Sequence, residues 1–101
     1  MLEVNDGNFE STMGTGVCVM EFCGDDCPSC EVVKGKLKNA ETQYPQVRFG
    51  VVEAETNGRL ASRFRVSQVP FVVILRDGKV SGALAGGFGS LDAKIGSALR
   101  A

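Results

Sequence analysis

Val17-Cys-Val-Met-Glu-Phe22, followed by Cys23-Gly-Asp-Asp26 and then by Cys27-Pro-Ser-Cys30, is the stretch that decides how this chain folds. The first six residues are an apolar run of strand formers, bounded by Gly14 and Gly16 before it and by Gly24 after it, and read as a buried strand. Beyond Cys27 the period changes. Cys30, Val33, Leu37, Ala40 and Tyr44 recur at helical spacing, with Lys34, Lys36, Lys38 and Glu41 among the positions between them. Pro28 suits the first turn of that helix, where a missing N–H costs little. Pro45 biases Tyr44 away from the α region and predicts that the helix ends there. Gly35, inside the helix, predicts a kink or close packing.

Working outward, Val47 to Val52 is a second core strand, and Asn57-Gly58 opens a short amphipathic segment carrying Leu60, Ala61 and Phe64. Phe71 to Leu75 is continuously apolar, as a strand covered on both faces should be. Asp77-Gly78, between Leu75 and Val80, signals a tight hairpin. Leu91, Ile95, Ala98 and Leu99 share one face of a final helix, while Leu2 to Val4 supply a short first strand before a helix around Gly7 to Met13. The order β-α-β-α-β-α-β-β-α predicts an α/β fold. Its central mixed sheet carries helices on both faces, and right-handed crossovers join the early strands. No internal repeat, low-complexity tract or linker interrupts it, so residues 1–101 read as a single domain.

Composition narrows the function. With 101 residues, 44% hydrophobic and 23% charged, the chain is ordinary globular material. A chain of this size buries roughly two-thirds of its unfolded surface and needs no disulfide staples. Eleven basic and twelve acidic side chains leave a net charge of −1, which draws the chain to neither nucleic acid nor anionic membrane. There is no long apolar run, and Met-Leu-Glu-Val-Asn-Asp at the start lacks the basic-then-apolar pattern of a secretory signal. The chain reads as soluble, cytoplasmic and monomeric. It has no histidine, which excludes hydrolases that pair a nucleophile with imidazole and zinc sites that depend on it. Four cysteines, Cys18, Cys23, Cys27 and Cys30, fall within thirteen residues, and in a cytosolic setting such clustering favours catalytic or metal-binding thiols over structural bridges.

The chemistry concentrates at Cys27-Pro28-Ser29-Cys30, directly after a buried strand and at the start of a long helix. A helix N-terminus offers unpaired N–H groups and positive dipole, which stabilise a thiolate at the first cysteine by up to about 1 kcal/mol. The thiolate is the attacking species in disulfide exchange. The two-residue spacer brings the second sulfur within bonding reach, so that Cys30 can resolve a mixed disulfide formed at Cys27.

With these features the chain resembles the thioredoxin family from roughly Leu2 to Leu99. Val-Cys-Val-Met-Glu-Phe leading to Cys-Pro-Ser-Cys is similar to the family's strand and active-site loop, and Val69-Pro70 before an apolar strand is similar to its cis-proline. Gly35 falls where thioredoxins usually carry a kinking proline, and Gly86 where they carry a glycine beside the active site. The resemblance implies a thioredoxin fold and a protein-disulfide reductase. It further implies a substrate groove shaped by Pro28, Val69, Pro70 and Gly86, with Pro70 cis and facing the disulfide. Glu21 falls where thioredoxins carry a buried Asp behind the second cysteine; a carboxylate there would take the Cys30 proton, its own pKa raised by desolvation. No bound cofactor is needed. The implied partners are disulfide-containing proteins and an electron donor, either a thioredoxin-reductase-like protein or a low-molecular-weight thiol.

The departures are equally specific. The usual Trp-Cys-Gly-Pro-Cys is Asp26-Cys27-Pro28-Ser29-Cys30 here, and position 23, normally aromatic, is a cysteine. Cys-Pro-x-Cys is the glutaredoxin form, so the chain resembles an atypical thioredoxin or a glutaredoxin-like relative. Asp25 and Asp26 beside the nucleophile oppose its ionisation and predict a reducing couple rather than a strong oxidant. Cys18, among valines in mid-strand, reads as core. Cys23 either packs silently or forms an alternative disulfide with Cys27 or Cys30. Glu21 has a second reading as the partner of a lysine in a structural ion pair. An alternative from another class takes Cys23, Cys27 and Cys30 as thiolate ligands of zinc or an iron–sulfur cluster, with Cys18 the only candidate for a fourth.

Overall fold

The computed structural model describes all residues 1–101. Five strands, β1 (Leu2–Glu3), β2 (Val17–Cys23), β3 (Arg48–Glu53), β4 (Phe71–Arg76) and β5 (Lys79–Leu84), form one sheet in the order β1-β3-β2-β4-β5. The β1–β3 and β2–β3 pairs are parallel; β2–β4 and β4–β5 are antiparallel. Four helices, α1 (Phe9–Met13), α2 (Pro28–Gln43), α3 (Gly58–Arg63) and α4 (Leu91–Arg100), connect and close it, and a 3₁₀ turn at Phe88–Ser90 precedes α4. The element order is the one periodicity predicts, with boundaries shifted by a residue or two. The second core strand begins at Arg48 rather than Val47, and α1 begins at Phe9 rather than Gly7.

Every residue of β2 is buried, because the strand lies in the middle of the sheet with helices over both faces. Side chains alternate across a strand, and here the alternation sorts the core into two layers. Val17, Val19, Val72 and Ile74 pack with Val33, Leu37 and Ala40 of α2 and with Leu91, Ile95 and Ala98 of α4. Cys18, Met20, Phe22, Val73 and Leu75 pack on the opposite face with Phe9 and Met13 of α1 and Leu60 of α3. Cys18 therefore belongs to the core, as its setting among valines predicts.

Local signals in the sequence account for the joints. The Asp77-Gly78 hairpin has positive φ at both residues, 51° and 80°, the pairing a two-residue turn of this hand requires. Asp77 also ties the turn to the start of β2: its carboxylate accepts the Gly16 N–H at 2.8 Å, and its own N–H donates to the Gly16 carbonyl at 2.9 Å. Tyr44, before Pro45, is the C-cap of α2. The close packing that Gly35 suggests is not found: α2 runs unbroken through it, the position is exposed, and a Cβ there would meet no atom within 4 Å. No helix is long and apolar enough to cross a membrane.

Candidate active site

The site lies where β2 ends and α2 begins. Cys27 is the N-cap of α2 and Pro28 the first helical residue, so the chain turns from the sheet into the helix at the first cysteine. Cys27 and Cys30 are joined as a disulfide, with Cα atoms 5.2 Å apart, inside the usual range for such a bridge. The two sulfurs have different surroundings. Cys27 is half-buried, its Sγ accepting the Cys30 N–H at 3.1 Å with the Ser29 hydroxyl 3.5 Å away. Cys30 is only 1% exposed. The accessible sulfur is thus the one that receives a backbone N–H at a helix N-terminus, the setting that stabilises a thiolate.

Behind Cys30 lies Glu21, fully buried on the central strand. Strand alternation turns Glu21 and Cys23 to the same face of β2 as Val17 and Val19, the face that α2 covers. A Glu21 carboxylate oxygen, Cys23 Sγ and Cys30 Sγ all lie within 4.8 Å of one another. Neither Glu21 oxygen has a hydrogen-bond partner. Burial is the main cause that pushes the Glu21 pKa up from 4.5 to about 7, against smaller opposing effects of the Cys23 thiol and Lys34. Lys34 is committed elsewhere, in a 2.9 Å ion pair with Glu31, so the reading of Glu21 as half of a lysine ion pair does not hold. Cys23 is pushed up to about 12, first by burial and then by the neighbouring Glu21 charge.

The Val69–Pro70 peptide bond is cis. The antiparallel register ends at Phe22 opposite Phe71, which sets Pro70 one step further along, across from Cys23. Gly24 permits this loop to approach: a Cβ there would come within 3.3 Å of the Val69 side chain. Asp25 and Asp26 are exposed, and Asp26 adopts a left-handed φ of 50°, which Asp tolerates better than most residues. Gly86 is exposed after β5, with open space where a Cβ would stand. A cleft of about 960 Å³ opens beside Cys27 and Pro28. Glu3, Asp25, Asp26, Glu31 and Glu53 line it, with Lys34 the only basic side chain. That acidic wall was not apparent from sequence, because Glu3 and Glu53 come to it only through the pairing of β1 with β3.

The metal alternative is not favoured. Cys27 and Cys30 are bonded to each other, and the ligand atoms that do converge are those of Glu21, Cys23 and Cys30, without Cys27. Cys18, the one candidate for a fourth thiolate, is on the opposite face of the sheet.

A family model described as Thioredoxin matches residues 1–98. The chain is similar to the thioredoxin of Chlamydia pneumoniae, 25% identical over 75 residues that cover 74% of each chain. It is likewise similar to the thioredoxin of Acetoanaerobium sticklandii, 29% identical over 82 residues that cover 78% of each. Among solved structures, the crystal structure of thioredoxin from Trypanosoma brucei brucei matches with a TM-score of 0.87 and 26% identity, covering 100% of this chain and 92% of that one.

Proposed function

Since the chain belongs to the thioredoxin family and is a thiol–disulfide oxidoreductase, we propose that Cys27 is its attacking thiol, Cys30 its resolving thiol and Glu21 the group that takes the Cys30 proton. The contrast between the two sulfurs carries this reading. Cys27 is accessible and accepts the Cys30 N–H, while Cys30 is 1% exposed beside an unpartnered carboxylate. In the reduced protein the Cys27 thiolate attacks a substrate disulfide, forming a mixed disulfide and expelling one substrate thiolate. Cys30 then attacks Cys27 Sγ and gives its proton to Glu21, whose pKa near 7 suits a base that must both accept and return a proton at neutral pH. The second substrate thiol departs and the Cys27–Cys30 disulfide remains. Pro28, Val69, Pro70 and Gly86 shape the groove in which an extended substrate segment lies. The cis bond at Pro70 and the space at Gly24, where a Cβ would come within 3.3 Å of Val69, support the Pro70 side of that groove.

The acidic cleft supports a protein dithiol donor, such as a thioredoxin-reductase-like enzyme, over an anionic low-molecular-weight thiol. Glu3, Asp25, Asp26, Glu31 and Glu53 repel a small anion approaching Cys27. Asp25 and Asp26 also work against a very stable Cys27 thiolate and so favour a reducing couple. Cys18 and Cys23 are unpaired buried thiols, which suits a reducing cytoplasmic setting. Activity resides in one domain, residues 1–101, acting as a monomer.

The test uses a disulfide-bonded reporter protein with a dithiol reductant. Cys27→Ser abolishes turnover, and Cys30→Ser accumulates a covalent mixed disulfide at Cys27, seen by non-reducing electrophoresis and mass. Turnover surviving Cys27→Ser, or trapping at a cysteine other than Cys27, would overturn the assignment.

A further inference from the structure

We propose that Cys23 is a third redox thiol, which exchanges into the active-site disulfide so that a Cys23–Cys30 bond replaces the Cys27–Cys30 bond and Cys27 is set free. The inference rests on the reading of Cys27 and Cys30 as the redox couple and adds a step that this couple alone does not contain.

Three observations carry it. The first is proximity: Cys23 Sγ and Cys30 Sγ lie within 4.8 Å of each other and of a Glu21 carboxylate oxygen, and all three residues are buried. No such closeness is required for Cys23 simply to fill the core; Cys18 does that on the opposite face. The second is Glu21 itself, with 0% exposure and no hydrogen-bond partner at either oxygen. It supplies the proton acceptor that a thiol held protonated by its surroundings needs before it can attack. The third is the position of the leaving sulfur. Cys27 Sγ sits at the N-cap of a sixteen-residue helix and accepts the Cys30 N–H at 3.1 Å, so a thiolate expelled there is stabilised as one at Cys23 is not. Exchange runs toward release of the more acidic thiol.

The step balances internally. The Cys23 proton passes to the Glu21 carboxylate, and the Cys23 sulfur attacks Cys30 Sγ. The electron pair of the Cys27–Cys30 bond leaves on Cys27. Glu21 returns its proton to solvent, and Cys27 takes one up according to its own acidity. One S–S bond forms, one breaks, and the oxidation level of the protein is unchanged. Its oxidising equivalent then sits in a buried disulfide while Cys27 stands alone at the surface. In that state an oxidised chain can still form a mixed disulfide with a partner.

The test starts from the full wild-type chain, oxidised by trans-4,5-dihydroxy-1,2-dithiane. It is incubated at neutral pH with N-ethylmaleimide, quenched, digested without reduction and mapped by mass spectrometry. The expected product carries maleimide on Cys27 and a Cys23–Cys30 disulfide in the same molecule, and it grows with incubation time. Cys23→Ser lowers Cys27 modification in the oxidised protein by on the order of tenfold or more, since Cys18, on the opposite face of the sheet, is the one thiol left and cannot reach the disulfide; Cys18→Ser leaves it unchanged. A wild-type map that stays at Cys27–Cys30 with Cys23 never in a disulfide would overturn the inference while leaving the redox couple intact. Oxidised protein in which neither a Cys27–Cys30 nor a Cys23–Cys30 disulfide is found in any molecule would overturn both. The wild-type map decides the matter whatever the folding of the variants.

Discussion

Replacing Glu21 with Gln should remove the pH dependence that this one buried carboxylate imposes on stability. Its pKa is about 7 in the folded protein against 4.5 ordinarily, chiefly because burial disfavours the charged form. The folded state therefore holds a proton that the unfolded chain has released. The stability associated with that proton is fully present below 4.5 and is lost as pH rises toward and through 7. At about 1.36 kcal/mol per pKa unit, the full loss above pH 8 is on the order of 3 kcal/mol. Most of that, roughly 2 to 3 kcal/mol, falls between pH 5 and pH 8.5. Glu21→Gln keeps the shape and cannot ionise, so any cost of the buried amide itself is the same at both pH values and cancels. Urea unfolding of the oxidised wild-type and variant proteins at the two pH values measures the effect. The variant's midpoint should rise relative to wild type by on the order of 1 M urea from pH 5 to pH 8.5, for a denaturant slope ordinary in a domain of this size. A difference between the two proteins that is the same at both pH values would show that Glu21 titrates normally in the folded state, and the argument for it as the base would fail with it.

Two further outcomes follow from the geometry. Reduction of the Cys27–Cys30 disulfide by glutathione should accelerate severalfold from low to high ionic strength, because five carboxylates line the cleft and added salt shortens their reach from about 30 Å to a few ångströms, whereas a neutral thiol should respond little. A flat salt profile for both would remove the case for a protein donor. Asp6 caps α3 from far away in the chain, its carboxylate accepting the Leu60 N–H at 2.9 Å and the Arg59 N–H at 3.3 Å. Asp6→Ala should cost about 1 kcal/mol of unfolding free energy with the Cys27–Cys30 chemistry unaffected, as read by chemical denaturation beside a turnover assay.

Much of the fold was legible because its signals are local. Alternation and apolar runs marked the strands, the 3.6-residue period marked α2 and α4, Pro28 and Pro45 bracketed α2, and Asp77-Gly78 marked the hairpin. The same holds for Cys27 and Cys30, whose spacing and place at a helix start depend on four consecutive residues. Even the shared face of Glu21 and Cys23 follows from the two-residue period of β2, a signal in the sequence that reading the cysteines as a spacing motif overlooks. The acidic cleft and the contact between Cys23 and Cys30 were not legible in this way. The first needs β1 to pair with β3, which sets Glu3 opposite Val51 and brings Glu3 and Glu53 to the same cleft; the second needs α2 to settle on one particular face of β2. Gly35 illustrates the opposite error, since a glycine in a helix is ambiguous until the space around it is known. The sequence by itself determined the order of elements and the reactive pair, because backbone periodicity and neighbouring residues settle both. The strand order β1-β3-β2-β4-β5, the burial of Glu21 and the gathering of a third thiol behind Cys30 were decided only by tertiary structure, because they depend on which distant surfaces exclude water together.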